Sequence, residues 1–377
     1  MIAPRIVVVG AGVFGSWTAW LLAKSGAQVA LVDAWGPANA RSSSGDESRI
    51  IRGAYARKAH YVKMTDRSFT LWESLEKVSG VEVVRRAGAI WLFGDDDAHV
   101  RDCLPHLASW NFPIERLDLG VAAQRYPQVN WSDVKIAYYE SRAGWLLARR
   151  SVHEVVAQFK RAGGTLRLAT AQPEMNAENG RLRGVRLGDG SLLEADRYVF
   201  ACGPWLRTLF PDWLGSSLLP SRQEVFYFGP PPGNTSFNDS TLPVWLDNAR
   251  GSWYGIPASE HHGFKISCND LGEVVDPSTL NRTPDAGRLA RAREHLAFRF
   301  PAMKDAPLVE SRVCQYENTP DRDLIMDHFP NDSRVVIVGG GSGHGFKLAP
   351  ALGEMTAEVA LGRMEPPELY RIRRFKA

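Results

Sequence analysis

The chain has 377 residues, 44% of them hydrophobic and 23% charged, with a formal net charge of +3. That is enough chain for two domains, or for one with a large insertion, and the small charge argues against a nucleic-acid partner. Four widely spaced cysteines without a C-x-x-C pair argue against a metal site and a disulfide framework, and no stretch approaches the ~18 apolar residues of a membrane span, so a cytoplasmic protein is expected.

Arg5-Ile6-Val7-Val8-Val9 is a short run rich in β-branched residues and reads as a strand, not as the core of a signal peptide, because glycines follow at once. Gly10-Ala11-Gly12-Val13-Phe14-Gly15 comes next, then a helical pattern closed by Gly26, then a second strand from Ala27 to Val32 ending at Asp33. Each part of this strand–glycine–helix–strand–acid unit has a task in binding a dinucleotide. Gly10 permits the tight turn, Gly12 lets the backbone approach a pyrophosphate, and Gly15 lets the helix pack on the sheet. The start of the helix, at Val13 and Phe14, offers unpaired N–H groups to phosphate. Asp33 stands where a ribose hydroxyl needs an acceptor. The motif alone leaves FAD and NAD both open.

Residues 34–60 read as a loop. Ser43, Ser44 and Arg49 in it are candidates to contact the cofactor and Arg52 to meet an anion; a solvated loop is the competing reading. Tyr61 to Glu76 reads as a helix, Gly88 to Gly94 as a strand and Val100 to Trp110 as a helix. Residues 137–146 read as a loop beside a pocket. Arg150 to Gly163 is a helix, Thr165 to Ala171 a strand, and further strands cover 180–187, 191–193 and 197–201. The last of these stops at Cys202-Gly203-Pro204-Trp205, a second strand-to-glycine stop. Residues 216–300, rich in aromatics and turns, suggest the short strands of a mixed sheet. Arg334 to Val338 is a buried-type strand, followed by Gly339-Gly340-Gly341-Ser342-Gly343-His344-Gly345 and a helix from Leu348 to Leu361. A second strand–glycine–helix unit at the far end of the chain suits a long cofactor, since one unit can hold the ADP half and the other meet an isoalloxazine. This favours FAD.

Val9 to Ser16, Gly45-Asp46-Glu47-Ser48-Arg49-Ile50-Ile51-Arg52, Cys314 with Thr319-Pro320-Asp321, and Gly343-His344-Gly345-Phe346-Lys347 together resemble the monomeric sarcosine oxidase and N-methyltryptophan oxidase family, within the wider class similar to D-amino-acid oxidase. The likeness runs over essentially the whole chain. It implies an α/β protein with a Rossmann-like FAD-binding domain of the glutathione-reductase type and an interleaved mixed-sheet substrate domain. We place the cofactor domain at residues 1–80, 145–215 and 310–377, and the substrate domain at 81–144 and 216–309.

The resemblance further implies an FAD joined covalently through Cys314, with Cys202, Gly203, Trp205, Gly341, Gly343, His344, Gly345, Phe346 and Lys347 around it. Arg52 and Lys347 match a pair of cations for a substrate carboxylate. Lys265 matches a lysine that acts in oxygen reduction, Tyr254 a pocket tyrosine, and Arg49 and His344 further candidates at the reacting centre. Lys265-Ile266-Ser267-Cys268-Asn269 departs from the family, which carries a histidine shortly after this lysine. Asn269 hydrogen-bonds but does not titrate, so sarcosine itself is a doubtful substrate. One of the twelve tryptophans, such as Trp253, is a candidate wall for a larger amino acid. The expectation is a monomeric oxidase of a carboxylate-bearing secondary amine, using O2 and yielding hydrogen peroxide. The alternative is a dehydrogenase passing electrons to another acceptor.

Overall fold

The computed structural model describes residues 3–375. The opening strand Arg5–Val9 is central in a six-stranded sheet. It pairs in parallel with Gln28–Asp33 on one side and Arg197–Phe200 on the other. Thr165–Leu168 and Asp332–Gly339 extend the parallel sheet, and Ile325–Phe329 closes it as an antiparallel edge strand. These strands are apolar on both faces because both are covered, as expected for a parallel sheet. One cover is the helix Val13–Lys24, which is apolar nearly all round. It lies between the sheet, the C-terminal helix Ala349–Ala360 and the helix Ala148–Arg161. Gly353 lets the first two helices touch: a Cβ there would stand 2.8 Å from Trp17 Cβ.

The second layer is an eight-stranded mixed sheet ordered Leu308–Asn318, Leu219–Phe228, Phe264–Cys268, Trp253–Ile256, Val244–Asn248, Ala89–Phe93, Ile136–Glu140 and Ile114–Arg116. Every pairing is antiparallel except Val244–Asn248 with Ala89–Phe93. A three-stranded sheet of Ser48–Ile51, Gly144–Leu147 and Val84–Arg85 stands apart from both large sheets, as does a small meander of Ala171–Met175, Leu182–Leu187 and Leu192–Leu193. The architecture is thus the expected α/β combination of a Rossmann-like unit with an interleaved mixed sheet. Among the described residues no helix is long and apolar enough to cross a membrane.

Several local expectations need correction. The loop read at 34–60 contains the strand Ser48–Ile51, and 137–146 is mostly two strands, Ile136–Glu140 and Gly144–Leu147. Gly144 there is in such close contact that a Cβ would sit 1.9 Å from Arg85 O. The helix read at 100–110 is two short helices, Ala98–Arg101 and Leu104–Ser109. The strand read at 165–171 divides between two sheets. Leu308–Asn318 runs along Leu219–Phe228 in the mixed sheet.

Behind the mixed sheet lies a buried charge network. Arg299 Nε donates to Asp247 Oδ2 at 2.7 Å, and His295 Nε2 lies 3.0 Å from the same oxygen. The His295 ring stacks on Trp253 at 4.6 Å. Burial works against the Asp247 charge, but His295 and Arg299 outweigh it and hold the carboxyl below its ordinary range. Removing one partner of such a pair leaves an uncompensated buried charge, at about 3–5 kcal/mol. Arg299→Ala is expected to destabilise the protein by that order in urea unfolding, and Asp247→Leu/Arg299→Met to recover most of it. A single variant as stable as wild type would show that the network contributes nothing.

Candidate functional site

The glycine turn after Arg5–Val9 is held from several directions. Gly10 adopts φ 101° and its missing Cβ would lie 2.4 Å from Ala201 O, so neither its conformation nor its surroundings admit a side chain. Asp33 closes the turn: Oδ2 accepts the Ala11 N–H, and Oδ1 accepts those of Trp35 and Gly36, each at 2.8 Å. Burial raises its carboxyl above the ordinary value, and these N–H groups oppose that rise. Gly15 is internal, its Cβ position 1.9 Å from Gly10 O, which is the packing task expected of it. Ser44 Oγ accepts the Val13 N–H at 3.0 Å, so this serine caps the helix. The N–H groups of Phe14 and Gly15 find no acceptor among the described residues, an arrangement suited to an anion.

These parts form one side of a cleft of about 390 Å³. Gly10, Gly12, Val13, Phe14, Asp33, Ser43, Ser44 and Arg49 line it from the N-terminal unit, and Cys202, Gly203 and Trp205 from the end of Arg197–Phe200. Gly341, Gly343, Gly345 and Phe346 line it from the C-terminal unit. The two units interlock, because a Cβ on Gly345 would stand 2.7 Å from Phe14 Cζ. At one wall Trp35 and Trp205 approach with ring centroids 5.1 Å apart, and Trp205 Nε1 donates to Ser278 Oγ at 3.0 Å. The lining fits FAD on structural grounds. The cleft spans both glycine loops. The Ser43 hydroxyl is buried without a partner. Gly203, at φ 54°, has nothing within 4 Å of its Cβ position.

A second cleft of about 420 Å³ shares Arg49, Tyr316, Gly343 and Phe346 with the first, so the two are continuous. Arg52, Tyr254, Lys265, Asn269, His344 and Lys347 line it together, bringing into one space residues from four separate segments. Arg52 lies over the rings of Tyr55 and Trp91 at 4.8 and 5.1 Å, and its guanidinium donates to Ala54 O. Lys347 Nζ donates to His344 O at 3.0 Å and lies 5.0 Å from the Tyr55 ring centroid. Burial, with Arg52 nearby, pushes its ammonium well below the ordinary lysine value. Neither cation makes an ion pair with a carboxylate among the described residues. Trp72, on the long helix Ala59–Ser79, fixes the backbone here by donating to Lys347 O at 3.1 Å.

Lys265 is buried, and its ammonium is already engaged. It donates to Asp46 Oδ2 at 2.5 Å and to Ser48 O at 2.9 Å. Arg49 Nη1 reaches the same Asp46 oxygen at 2.5 Å, and Tyr227 donates to Oδ1 at 2.6 Å. Burial works against the Asp46 charge, yet Lys265 and Arg49 overcome it and hold the carboxyl well below the carboxylate range. Burial lowers Lys265 in turn, and Asp46 offsets this in part. Cys314 lies two residues before Tyr316 on the same strand face and is buried, which raises its thiol; Arg49 opposes that rise. The thiol is within electrostatic reach of Arg49 and Lys265, although Cys314 does not line either cleft.

His344 is a neutral imidazole. Burial and Lys347 push it down to about 3. Nε2 lies 2.9 Å from Arg322 O, the donor's position, which leaves Nδ1 to accept from Tyr55 OH at 3.3 Å. Both ring nitrogens are thus occupied. Tyr254 OH and Tyr316 OH stand 3.4 Å apart at the junction of the clefts. The sequence reading missed Asp46, Tyr55, Tyr316 and Glu317. Asp46 lies inside the quoted Gly45-to-Arg52 motif, and Tyr316 and Glu317 follow Cys314 on one strand.

Two joined clefts of this kind, one for a dinucleotide and one lined by cations and aromatics, define a redox enzyme. The chain belongs to the DAO family of FAD-dependent oxidoreductases, whose profile matches residues 5–359. A monomeric sarcosine oxidase from Streptomyces avermitilis is 30% identical over 369 residues, 94% of this chain and 93% of its own. An N-methyl-L-tryptophan oxidase from Salmonella agona is 26% identical over 376 residues, 98% of each chain. L-proline dehydrogenase from P. horikoshii matches with a TM-score of 0.85 at 22% identity, covering 99% of this chain and 98% of its own. Fructosyl peptide oxidase from E. terrenum matches at 0.85 and 20%, covering 98% and 92%. At those identities the two structures bear on the fold alone.

Glu317 lines the first cleft with one oxygen unpartnered, and burial raises its carboxyl to about 7, against the N–H groups of Gly340 and Gly341. A carboxyl whose pKa is raised on folding stabilises the fold fully below its unfolded value of 4.5, and that contribution is lost as pH rises through about 7. Stability relative to Glu317→Gln is therefore expected to fall by about 3 kcal/mol between these limits. Urea unfolding of both proteins across pH 4.5–8 measures this. Parallel curves would show that Glu317 titrates normally.

Proposed function

We propose that this FAD-dependent oxidoreductase oxidises a secondary or N-alkyl amine bearing a carboxylate, acting as a monomer with O2 as acceptor. The observation that carries this reading is the pair Arg52 and Lys347, two basic side chains without an ion pair among the described residues, in an aromatic cleft continuous with the dinucleotide cleft. The S. avermitilis and S. agona relatives, by name oxidases of N-methyl amino acids, support it. When bound, FAD takes up the two electrons released as the amine becomes an imine and passes them to the acceptor. The overall change removes two hydrogens from the CH–NH unit and adds them to O2, giving imine and hydrogen peroxide; water then hydrolyses the imine.

The residues divide the work. Arg52 and Lys347 fix the carboxylate, the guanidinium by a bidentate fork. Tyr254 and Asn269 line the space for the rest of the substrate, and the Tyr55 ring packs near both cations. Asp33, Ser43 and the open N–H groups of Phe14 and Gly15 hold the cofactor's ADP half. The start of the helix after Lys347 would favour negative charge on a flavin ring bound before it. Lys265 and Arg49 would favour negative charge developing on O2 beside the cofactor, since their charge lowers that state and not neutral O2.

Three measurements test this. Arg52→Ala is expected to weaken a good amino-acid substrate by ~10- to 100-fold, because a charge-assisted bond is worth roughly 1.5–3 kcal/mol. It should also narrow the gap between that substrate and its amide; a wild-type preference for the amide would refute the role. Acid-precipitated protein is expected to stay yellow, and Cys314→Ser to release the colour, if the flavin is covalent. A white wild-type pellet removes the covalent link and leaves FAD binding intact.

Lys265→Met is expected to slow flavin reoxidation by about two decades and anaerobic reduction far less. Unit charges ~4 Å apart interact by ~4 kcal/mol at an effective dielectric of 20, and Asp46 offsets part of that. Stopped-flow measurement of each half-reaction decides it. Equal slowing of both would make Lys265 a general organiser of the pocket. Slow wild-type reoxidation by O2 beside fast dye reduction would favour a dehydrogenase.

A further inference from the structure

Beside Arg52 and Lys347, the second cleft holds one further basic side chain without an ion pair among the described residues. Arg322 lines it, on the turn before Ile325–Phe329. The acids on either side of Arg322 are already engaged elsewhere. Asp321 Oδ2 accepts from Arg374 Nε at 2.8 Å, and Asp323 Oδ1 accepts from Lys58 Nζ at 2.7 Å. The half-buried Arg322 guanidinium makes a single hydrogen bond, from Nη2 to Ser342 O at 3.2 Å, and no ion pair among the described residues. That leaves most of its five donors free. No Asp or Glu among the described residues lines this cleft.

The backbone is specialised at the same place. Arg322 and Ser342 adopt φ of 61° and 43°, a region that residues with a Cβ seldom enter. Such outliers persist where the surroundings impose them, and they concentrate at binding sites. Position matters as well as charge. Arg52 and Lys347 flank the Tyr55 ring, Tyr55 OH meets His344 Nδ1, and His344 Nε2 meets Arg322 O. The rings of Tyr55 and His344 thus separate the Arg322 backbone from the first two cations. Arg322 therefore does not merely add charge to the first pair; it offers a second anchoring point on the wall.

We propose that the cleft accepts a secondary amine carrying two carboxylates, the first held by Arg52 and Lys347 and the second by Arg322. This rests on the amine-oxidising reading above and adds a second anchor to it. A planar guanidinium with free parallel donors is the group that matches a carboxylate bidentately. The second carboxylate sits either on the amino-acid side chain or on the N-substituent.

The test is anaerobic titration of the holoenzyme, reading the flavin spectrum for an apparent Kd. One arm compares N-methylglutamate with N-methylglutamine; the other compares N-(carboxymethyl)alanine with its carbamoylmethyl counterpart. In each pair an anion is exchanged for a neutral group of the same shape. In wild type at least one diacid is expected to bind about tenfold more tightly than its amide or better, and the arm that shows this locates the second carboxylate. Arg322→Asn, which tolerates the left-handed backbone, is expected to bring that ratio below about threefold, and Arg322→Lys to retain part of it. Ratios near one in wild type, while monoacids still titrate and Arg52→Ala still weakens them, would overturn the second anchor and leave the first reading standing. A ratio that survives Arg322→Asn would also overturn it, by placing the second anion elsewhere. If no amine alters the flavin, the amine-oxidising reading falls and this inference with it.

Discussion

Asp46 carries its charge where water does not reach, and the groups around it decide whether that is tolerable. Lys265 and Arg49 each approach one oxygen at 2.5 Å, while Tyr227 OH and the Glu47 N–H serve the other at 2.6 and 2.8 Å. A buried carboxylate with two cations and two further donors is satisfied; with one cation removed it is not. The contact also joins distant parts of the fold. Asp46 precedes the strand Ser48–Ile51 at the dinucleotide cleft, whereas Lys265 and Tyr227 stand on neighbouring strands of the mixed sheet. One carboxylate shared by two cations leaves a net positive charge at the junction of the clefts. The electrostatics of the site and the docking of its layers are therefore one interaction.

The two glycine loops depend on each other in a similar way. Phe14 begins the first helix and fills the space that a Cβ on Gly345 would need. Trp72 packs edge-on against Trp17 at 5.1 Å and parallel to Phe346 at 6.2 Å, while its Nε1 holds Lys347 O. A line of aromatic rings thus runs from the first unit to the second, through the long helix. The segment that carries Lys347 is positioned by packing from behind, and its side chain lines the second cleft while Nζ donates to His344 O.

What the sequence made legible follows the range of each interaction. The unit from Arg5 to Asp33 is nearly self-contained: its strands pair with each other, Asp33 closes the turn of Gly10, and periodicity reveals the helix between them. Arg52, Lys347 and Lys265 were found through family motifs, and they do share one cleft. The Asp46–Lys265 contact spans 219 residues, and nothing in local spacing announces it. The strands at Ile136–Glu140 and Gly144–Leu147 were read as a loop because glycine and tyrosine there suggested irregular chain, when Gly144 marks a close strand crossing. Ser44 was read as a cofactor contact; it lines the first cleft, and its hydroxyl oxygen also accepts the Val13 N–H, a partner 31 residues away that local spacing does not announce.

The charge of the second cleft also constrains the form in which an amine enters it. Among the described residues its lining holds Arg49, Arg52, Lys58, Lys265, Arg322 and Lys347, and no acid. Asp46 and Asp323 compensate some of these cations from outside the lining, and the buried Glu140 acts on Arg52 and Lys347. An ammonium in this space would face like charges with no counter-ion of its own, and burial would add a desolvation cost. The neutral amine pays neither. His344 does not change this, since at about 3 it is uncharged and both its nitrogens are bonded. On the proposed reading, the charge that attracts the substrate carboxylate would also favour the free-base amine over the ammonium. On that reading, recognition of the carboxylate and choice of the amine's protonation form would share one cause, the excess of positive charge.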